Sequence, residues 1–338
     1  MNWDNRNTSE FPSPPPGKTG WPWTTTSELL PDKIPDGSPW PKISVVTPSY
    51  NQGQFIEETI RSVLLQGYPN LEFIIIDGGS TDNTLEIINK YEPWLDYWVS
   101  EPDRGQSHAI NKGIKKATGE ILFWLNADDL VLPEAFNIVV QLFRQHQNSA
   151  LIVGQAKLID SSSNINGEIN SYFSTWEEAV TNPQNSIRQI SSFFRNFLFD
   201  KYGTIDESLE FIMDTDILLR FTQYHSPLVI DDYLTAFRVH PESKSYKEII
   251  LAYKESEIVR KKYLNSKDLI RKHRIRNADN WLNLSKKHKL SIHERFTCLV
   301  YSAIKNPFSI ISSEFFLSLI DIMKSAFQSK IKYNNKIK

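Results

Sequence analysis

Residues 42–245 of this 338-residue chain predict an α/β fold, a mostly parallel sheet flanked by helices. An irregular arm (1–41) precedes it and a basic helical extension (246–338) follows. Three observations carry the prediction. Continuous apolar runs such as Ile121-Leu122-Phe123-Trp124-Leu125 recur, and strands buried on both faces belong to parallel sheets covered by helices. These runs alternate with stretches of helical period, the pattern of βαβ units. Polar turns follow the runs at their C-terminal ends, where open α/β sheets bind ligands.

The elements follow in order. Pro12, Pro14, Pro15 and Pro16 exclude regular helix from the arm. Trp21, Trp23 and Trp40 are expected to pack it onto the domain, since tryptophan in water is costly. Ile43–Thr47 reads as the first strand. Gln54–Gln66 reads as an amphipathic helix, with Phe55, Ile56, Ile60, Val63 and Leu64 at helical spacing. Leu71–Ile76 is the second strand, and Thr81–Tyr91 a helix opened by Ser80 and Asp82. Tyr97–Ser100 is a short strand, Ser107–Ala117 a helix and Glu120–Leu125 a strand. Pro133–Gln147 is a helix with proline in its first turn, and Ala150–Ile159 a strand. Beyond it, Ser161–Gly167 reads as a turn, Ile190–Lys201 as aromatic-rich, Phe211–Gln223 as helix and Leu228–Phe237 as containing a strand. Tyr246 to about Lys289 reads as charged helix, and Ser309–Phe327 as a final amphipathic helix.

Composition narrows the class. The chain is 40% hydrophobic and 23% charged, a globular balance. Its single cysteine, Cys298, excludes an internal disulfide and fits a reducing compartment. No basic-then-apolar leader opens the sequence, so no signal peptide is expected. No apolar run nears the roughly 20 residues that span a bilayer. The net charge of −2 hides an asymmetry: residues 244–338 carry 21 Lys+Arg against 8 Asp+Glu, a net of +13, and the rest carries −15. A basic tail suits an anionic partner. No zinc-finger, helix-turn-helix or RNA-recognition signature is present, so nucleic acid is not expected. An anionic membrane surface is the candidate partner, with a solvated helical face as the alternative.

The pair Asp128-Asp129, in Asn126-Ala127-Asp128-Asp129, directly follows the Ile121–Leu125 run. Adjacent carboxylates repel and must face solvent, a cation or both. Hard divalent cations that bridge phosphates want one or two carboxylates in such a place. The first strand ends in Thr47-Pro48-Ser49-Tyr50-Asn51-Gln52-Gly53 and the second in Asp77-Gly78-Gly79-Ser80-Thr81-Asp82. Turns of this kind offer backbone N–H groups and a helix N-terminus to an anion, or simply connect strand to helix. A third turn, Glu101-Pro102-Asp103-Arg104-Gly105, leads into a helix carrying His108, Asn111 and Lys112.

From Pro41 to about Ile159, and from Ile190 to Ser245, the chain resembles the family-two glycosyltransferases, inverting enzymes with the nucleotide-sugar-binding GT-A fold. The matching pieces occur in order: Val45–Asn51; Ile76–Asp82; Asn111-Lys112-Gly113; Ala117-Thr118-Gly119-Glu120; and Asn126–Asp129.

The resemblance implies a nucleotide-sugar-binding half (42–160) and an acceptor half (161–245). It implies that Thr47, Pro48, Tyr50, Asn51, Asp77, Gly78, Arg104, Asn111, Lys112 and Asp128 contact the donor. Asp129 would be the main ligand of Mn²⁺ or Mg²⁺, with His240 a further candidate. Many relatives carry a second Asp that contacts the base where Gly78 stands, so this chain departs from the family's pattern at the base contact. Asp214 aligns with the catalytic base, which removes the acceptor proton in a single displacement; Asp216 is the second choice, and Met213 replaces a common Glu. Arg238 is a candidate diphosphate partner, an ion pair the alternative. The implied activity moves a hexose-type sugar from a nucleotide diphosphate to a glycan or lipid-linked acceptor. It would take place in the cytoplasm or at the inner membrane face, in cell-surface polysaccharide or glycoconjugate synthesis. A non-catalytic nucleotide-sugar-binding scaffold is the alternative. A nucleotidyltransferase is disfavoured, because no Lys or Arg follows the first strand until Arg61.

Overall fold

The computed structural model describes residues 11–182, 187–241, 249–287 and 290–336, with side chains described up to residue 326. Residues 1–10 of the arm, 242–245 after the last strand, and 246–248 and 288–289 of the expected charged helix lie outside the described residues. The chain divides into two compact units. The first comprises residues 1–176 and 187–255, the second residues 177–186 and 256–338.

In the first unit, β1 (Ile43–Ser49), α1 (Ile56–Leu64), β2 (Leu71–Asp77), α2 (Thr84–Tyr91), β3 (Tyr97–Ser100), α3 (Gln106–Lys116) and β4 (Ile121–Trp124) follow one another as expected. Then come β5 (Leu130–Val131), α4 (Ala135–Gln145), β6 (Leu151–Ile159) and β7 (Ile165–Ile169); α5 (Trp176–Thr181) follows, and from Glu177 it belongs to the second unit. After these lie β8 (Ser192–Arg195), α6 (Phe197–Tyr202), α7 (Met213–Thr222) and β9 (Leu228–Arg238). The sheet runs β3-β2-β1-β4-β8-β6-β9-β5, with β7 beside β6. It is parallel from β3 to β4. Beyond β4 the direction changes: β8 is antiparallel to both β4 and β6, and β6 is parallel to β9. The parallel character is thus confined to the first half and the β6–β9 pair. The expected turn after β6 is tighter than read, because β7 folds straight back on β6.

The apolar runs sort by period two, as pleating requires. Ile43, Val45, Phe73, Ile75, Ile121 and Phe123 face one layer, packed with α1 and α4. Val46, Ile74 and Ile76 face the other, against Ala109 of α3. Helix α3 lies very close to the sheet. A Cβ on Gly113 would come within 2.2 Å of Val46 Cγ1, so only glycine fits there. Trp23 and Trp40 of the arm are buried, and Trp21 donates its indole N–H to the Val131 carbonyl at 2.9 Å. Arg61 anchors the arm from inside α1, donating to the carbonyls of Pro22 and Trp23.

The end of α8 (Ile249–Lys261), α9 (Lys267–Ser285), α10 (Ile292–Lys305) and α11 (Ser313–Lys336) belong to the second unit. The single charged helix expected from the sequence is two helices, α8 and α9; Ser266 caps the second by accepting the Leu269 N–H. Helix α10 opens with a capping box, Ser291 and Glu294 bonding each other's backbone N–H groups. The last helix starts at Ser313 rather than Ser309, behind a 3-10 turn at Pro307–Ile311. Among the described residues no helix is long and apolar enough to cross a membrane.

Candidate active site

The loop between β4 and β5 carries the aspartate pair. Helix α1 holds it from below: Thr59 Oγ1 lies 2.9 Å from the Ala127 carbonyl and 2.8 Å from that of Asp129. Gln66 donates to the Leu132 carbonyl. Asn126 joins three elements, accepting from Trp124 Nε1 and Gln106 Nε2 and donating to Asp129 Oδ2.

The two carboxylates point into different surroundings. Asp129 has no exposed surface, and its other oxygen accepts the backbone N–H of Arg238 at 2.9 Å. Burial pushes its pKa well above the usual carboxylate range, and the neighbouring charge of Asp128 adds to that; the Arg238 N–H, the Asn126 amide and the Arg238 charge oppose it. The Asp128 side chain keeps 21% of its surface, and its Oδ2 lies 3.0 Å from His240 Nε2. His240 packs its ring against Phe55, centroids 4.7 Å apart.

Arg238 belongs to the framework. Its guanidinium is fully buried, 3.0 Å from Glu58 Oε2. It also donates to the carbonyls of Asp128 and Asp160 and to Ser163 Oγ, and lies over the Phe55 ring. With every arm of the guanidinium committed, Arg238 fits the ion-pair reading and not the diphosphate one. Glu58 and Phe55 were not singled out in the sequence as site residues. Their signal was there: Glu58 sits among the buried positions of α1, where a carboxylate needs a partner.

The first two turns are knitted together. The N–H groups of Asn51, Gln52 and Gly53 bond Ser80 Oγ, Thr84 Oγ1 and Asp82 Oδ2, and Asn51 Oδ1 accepts the Thr81 N–H. Those N–H groups serve the fold and are not presented to an anion. Asp77 is likewise consumed, accepting from the Gly79 and Ser80 N–H groups and from the Ser80 and Ser100 hydroxyls. What faces outward is different: Tyr50 is 60% exposed, while Pro48 is buried. Among the described residues, the buried Thr47 Oγ1 and Ser49 Oγ have no hydrogen-bond partner, which leaves them for water or a ligand to satisfy.

Gly78 has a spatial reason. A Cβ there would lie 2.6 Å from Asp103 Oδ2, so the third turn's carboxylate fills the space an aspartate side chain would use. Asp103 Oδ1 accepts the Gly105 N–H, and Asp103 is half-buried at the ends of β2 and β3. The sequence presents Asp103 as the acid beside a glycine in the third turn, a setting that suits a polar ligand or a flexible connection; its approach to Gly78, which spans two turns, is not legible there.

The remaining donor candidates are tied to neighbours. Arg104, largely exposed, pairs with Glu207 at 2.6 Å. Asn111 bonds the Ile205 backbone through both ends of its amide and reaches Glu207. Lys112 pairs with Glu101 at 2.9 Å.

Asp214 lies in the first turn of α7 and accepts the Thr215 N–H at 2.6 Å. It keeps part of its surface open, yet the protein around it is dense enough that burial pushes its pKa above the ordinary value. The Thr215 N–H and the charge of Arg188 pull the other way. Asp216 is buried and ion-paired with Arg220 one turn on. The start of α7 is held by Glu255, whose carboxylate accepts the N–H groups of Glu210, Phe211 and Ile212 at 2.8, 2.7 and 3.0 Å.

A family model described as Glycosyl transferase family 2 matches residues 44–211. An uncharacterized glycosyltransferase of Rickettsia typhi is 29% identical over 211 residues, 59% of this chain and 64% of the relative. The poly-beta-1,6-N-acetyl-D-glucosamine synthase of Staphylococcus epidermidis is 34% identical over 123 residues, 36% of this chain and 30% of the synthase. The matched stretch therefore spans less than two thirds of either relative's length. Among solved structures, residues 1–349 of S. aureus TarS in complex with UDP-GlcNAc align with a TM-score of 0.59 at 18% identity, over 85% of this chain and 92% of that one. The fold is GT-A.

Proposed function

We propose, from the premise that the chain belongs to glycosyl transferase family 2, that it moves a hexose-type sugar with inversion from a nucleotide diphosphate to a glycan or lipid-linked acceptor. The observation that carries the reading is the Asp128–His240 pair at the end of β4, held from behind by Arg238. Residues 42–160 are the donor half and 161–245 the acceptor half, with the extension outside both. The single cysteine suits the cytoplasm, and a lipid-linked acceptor would draw the protein to the inner membrane face.

Asp128 and His240, bonded to each other at 3.0 Å, are the two side chains that would hold a divalent cation; no group of three His, Cys, Asp or Glu side chains lies together among the described residues, so diphosphate oxygens and water would supply the rest. Sequence reading gave the cation to Asp129. The burial of Asp129 and its committed oxygens favour Asp128 and His240 instead, with Asp129 fixing the backbone that aims them. Bound Mn²⁺ or Mg²⁺ would neutralise charge on the departing diphosphate. Thr47, Pro48, Ser49 and Tyr50 would receive the nucleoside, with Asp103 in the role Gly78 cannot fill, accepting from the base edge. Asn51, Asp77, Arg104, Asn111 and Lys112 would shape the cleft through the bonds described above.

Asp214 takes the acceptor's hydroxyl proton while the oxygen attacks the anomeric carbon. The bond from that carbon to the diphosphate oxygen breaks with its electron pair leaving on the diphosphate. Asp216, locked to Arg220, is the poorer base. Asp214→Asn is expected to lower kcat by about 10²–10⁴-fold while leaving the dissociation constant of nucleoside diphosphate within twofold. Calorimetric titration and single-turnover transfer assays read the two quantities separately, and unchanged kcat would remove Asp214 from the mechanism. The TarS crystal contained UDP-GlcNAc and the Staphylococcus synthase is named for an N-acetylglucosamine polymer, so UDP-GlcNAc is the first donor to test.

A further inference from the structure

The second unit carries an apolar surface that the glycosyl-transfer reading does not use. Helices α10 and α11 pack through Leu299 and Ile322, with Leu282 of α9 and the partly buried Phe315 and Leu319. Beside that seam lies an open cavity of about 370 Å³ lined only by apolar side chains, among them Phe296, Val300, Ala303 and Ile304 of α10. Phe296, Val300 and Ile304 recur every fourth residue, so they form one exposed stripe along α10. The turn between the helices adds Phe308 and Ile311, 77% and 76% exposed. On α11, Leu317, Ile320 and Met323 are exposed while Ser318 and Ile322 are buried. A helix with apolar residues on its outer as well as its inner face lacks one of its covers.

Charge decides what covers it. Glu314 and Asp321, the acids of α11, are paired with Lys286 and Arg295. After Asp321 the sequence contains Lys324, Lys330, Lys332, Lys336 and Lys338 and no further acid. A second copy would bring the same excess of positive charge to the same face. An anionic bilayer brings the opposite charge and an apolar interior that asks nothing polar of the groove. Apolar side chains beside lysines, with acids already neutralised, are what an interfacial helix needs.

We infer that α10, the Pro307–Ile311 turn and α11 dock on an anionic lipid surface, with Phe308, Ile311, Leu317 and Ile320 entering the headgroup boundary and the exposed Lys324 contacting lipid phosphates. This docking stands independently of the transfer chemistry. The test is flotation of the full chain with vesicles of phosphatidylcholine alone and of phosphatidylcholine with 30% phosphatidylglycerol, at low salt and at 0.5 M NaCl. Binding to the anionic vesicles is expected to exceed binding to the neutral ones at least tenfold and to weaken with salt. Ile311→Asp and Leu317→Asp, both outside the packed seam, should each lower it at least fivefold with an unchanged circular dichroism spectrum. Lys324→Gln, Lys330→Gln and Lys332→Gln together should remove the preference for anionic lipid. Equal recovery with neutral and anionic vesicles, or no recovery with either, overturns the proposal. So does a concentration-dependent dimer in sedimentation equilibrium that Leu317→Asp dissociates, because a second copy would then be the cover.

Discussion

Asp128 and Asp129 are neighbours in sequence, yet the first keeps part of its side chain exposed and the second is sealed by the backbone N–H of Arg238 from β9. That difference governs how each responds to pH. The folded-state pKa of Asp129 is raised, so its contribution to stability is fullest below the unfolded value near 4 and is lost as pH rises through the folded value. Asp129→Asn removes this titration. In EDTA, its stability relative to the wild type is expected to increase as the pH rises above the ordinary carboxylate range; a difference independent of pH would contradict the burial argument. The raised pKa of Asp214 predicts that the acid limb of kcat/KM lies above the ordinary carboxylate range. Asp103→Ala is expected to raise the donor KM about tenfold with little change in kcat, measured with saturating acceptor. The aspartate pair was legible in the sequence because charge at the end of an apolar strand has few structural uses. Which of the two faces outward was not, since that depends on Arg238 and His240, far away in the chain. The reasons for Gly78 and Asp77 were equally hidden, because both lie in contacts between turns.

Elements set the site's precision. Helix α7 presents Asp214 in its first turn, and Glu255 holds the N–H groups just ahead of that turn. A carboxylate accepting three backbone N–H groups at a helix start combines capping with the helix dipole. Glu255→Ala should cost about 1–3 kcal/mol of stability, and it should lower kcat more than it raises the donor KM; chemical denaturation and steady-state kinetics separate these effects. Helix α3 approaches β1 so closely that Gly113→Ala should cost about 1–3 kcal/mol through overpacking against Val46, read as a lower denaturation midpoint. The alternation β1 to β4 was legible because buried parallel strands leave unbroken apolar runs. The antiparallel insertion of β8 was not, since Ser192–Arg195 is short and its partners β4 and β6 are distant in sequence. Helix α10 announced itself by its capping box, Ser291 with Glu294, which the reading of the charged tail passed over.

At the scale of the whole molecule, the sequence shows an acidic body and a basic extension, and the structure divides the chain into two units, the second made of residues 177–186 and 256–338. The first unit holds the catalytic candidates. If Asp128 and His240 bind the cation that meets the diphosphate, nucleoside diphosphate and Mn²⁺ should stabilise the fold together. The gain is about 2.7 kcal/mol at a hundredfold excess over the dissociation constant, and thermal denaturation of the wild type should show it with both ligands and much less with either alone. The measurement that tests the central claim most directly is release of UDP from UDP-GlcNAc and other UDP-hexoses in Mn²⁺, comparing the wild type with Asp128→Asn and His240→Ala. The account expects release by the wild type with at least one donor, a fall of at least a hundredfold in Asp128→Asn and a smaller fall in His240→Ala, all three proteins being folded. Full activity in Asp128→Asn would contradict it, because no cation held by that carboxylate could then be serving the departing diphosphate.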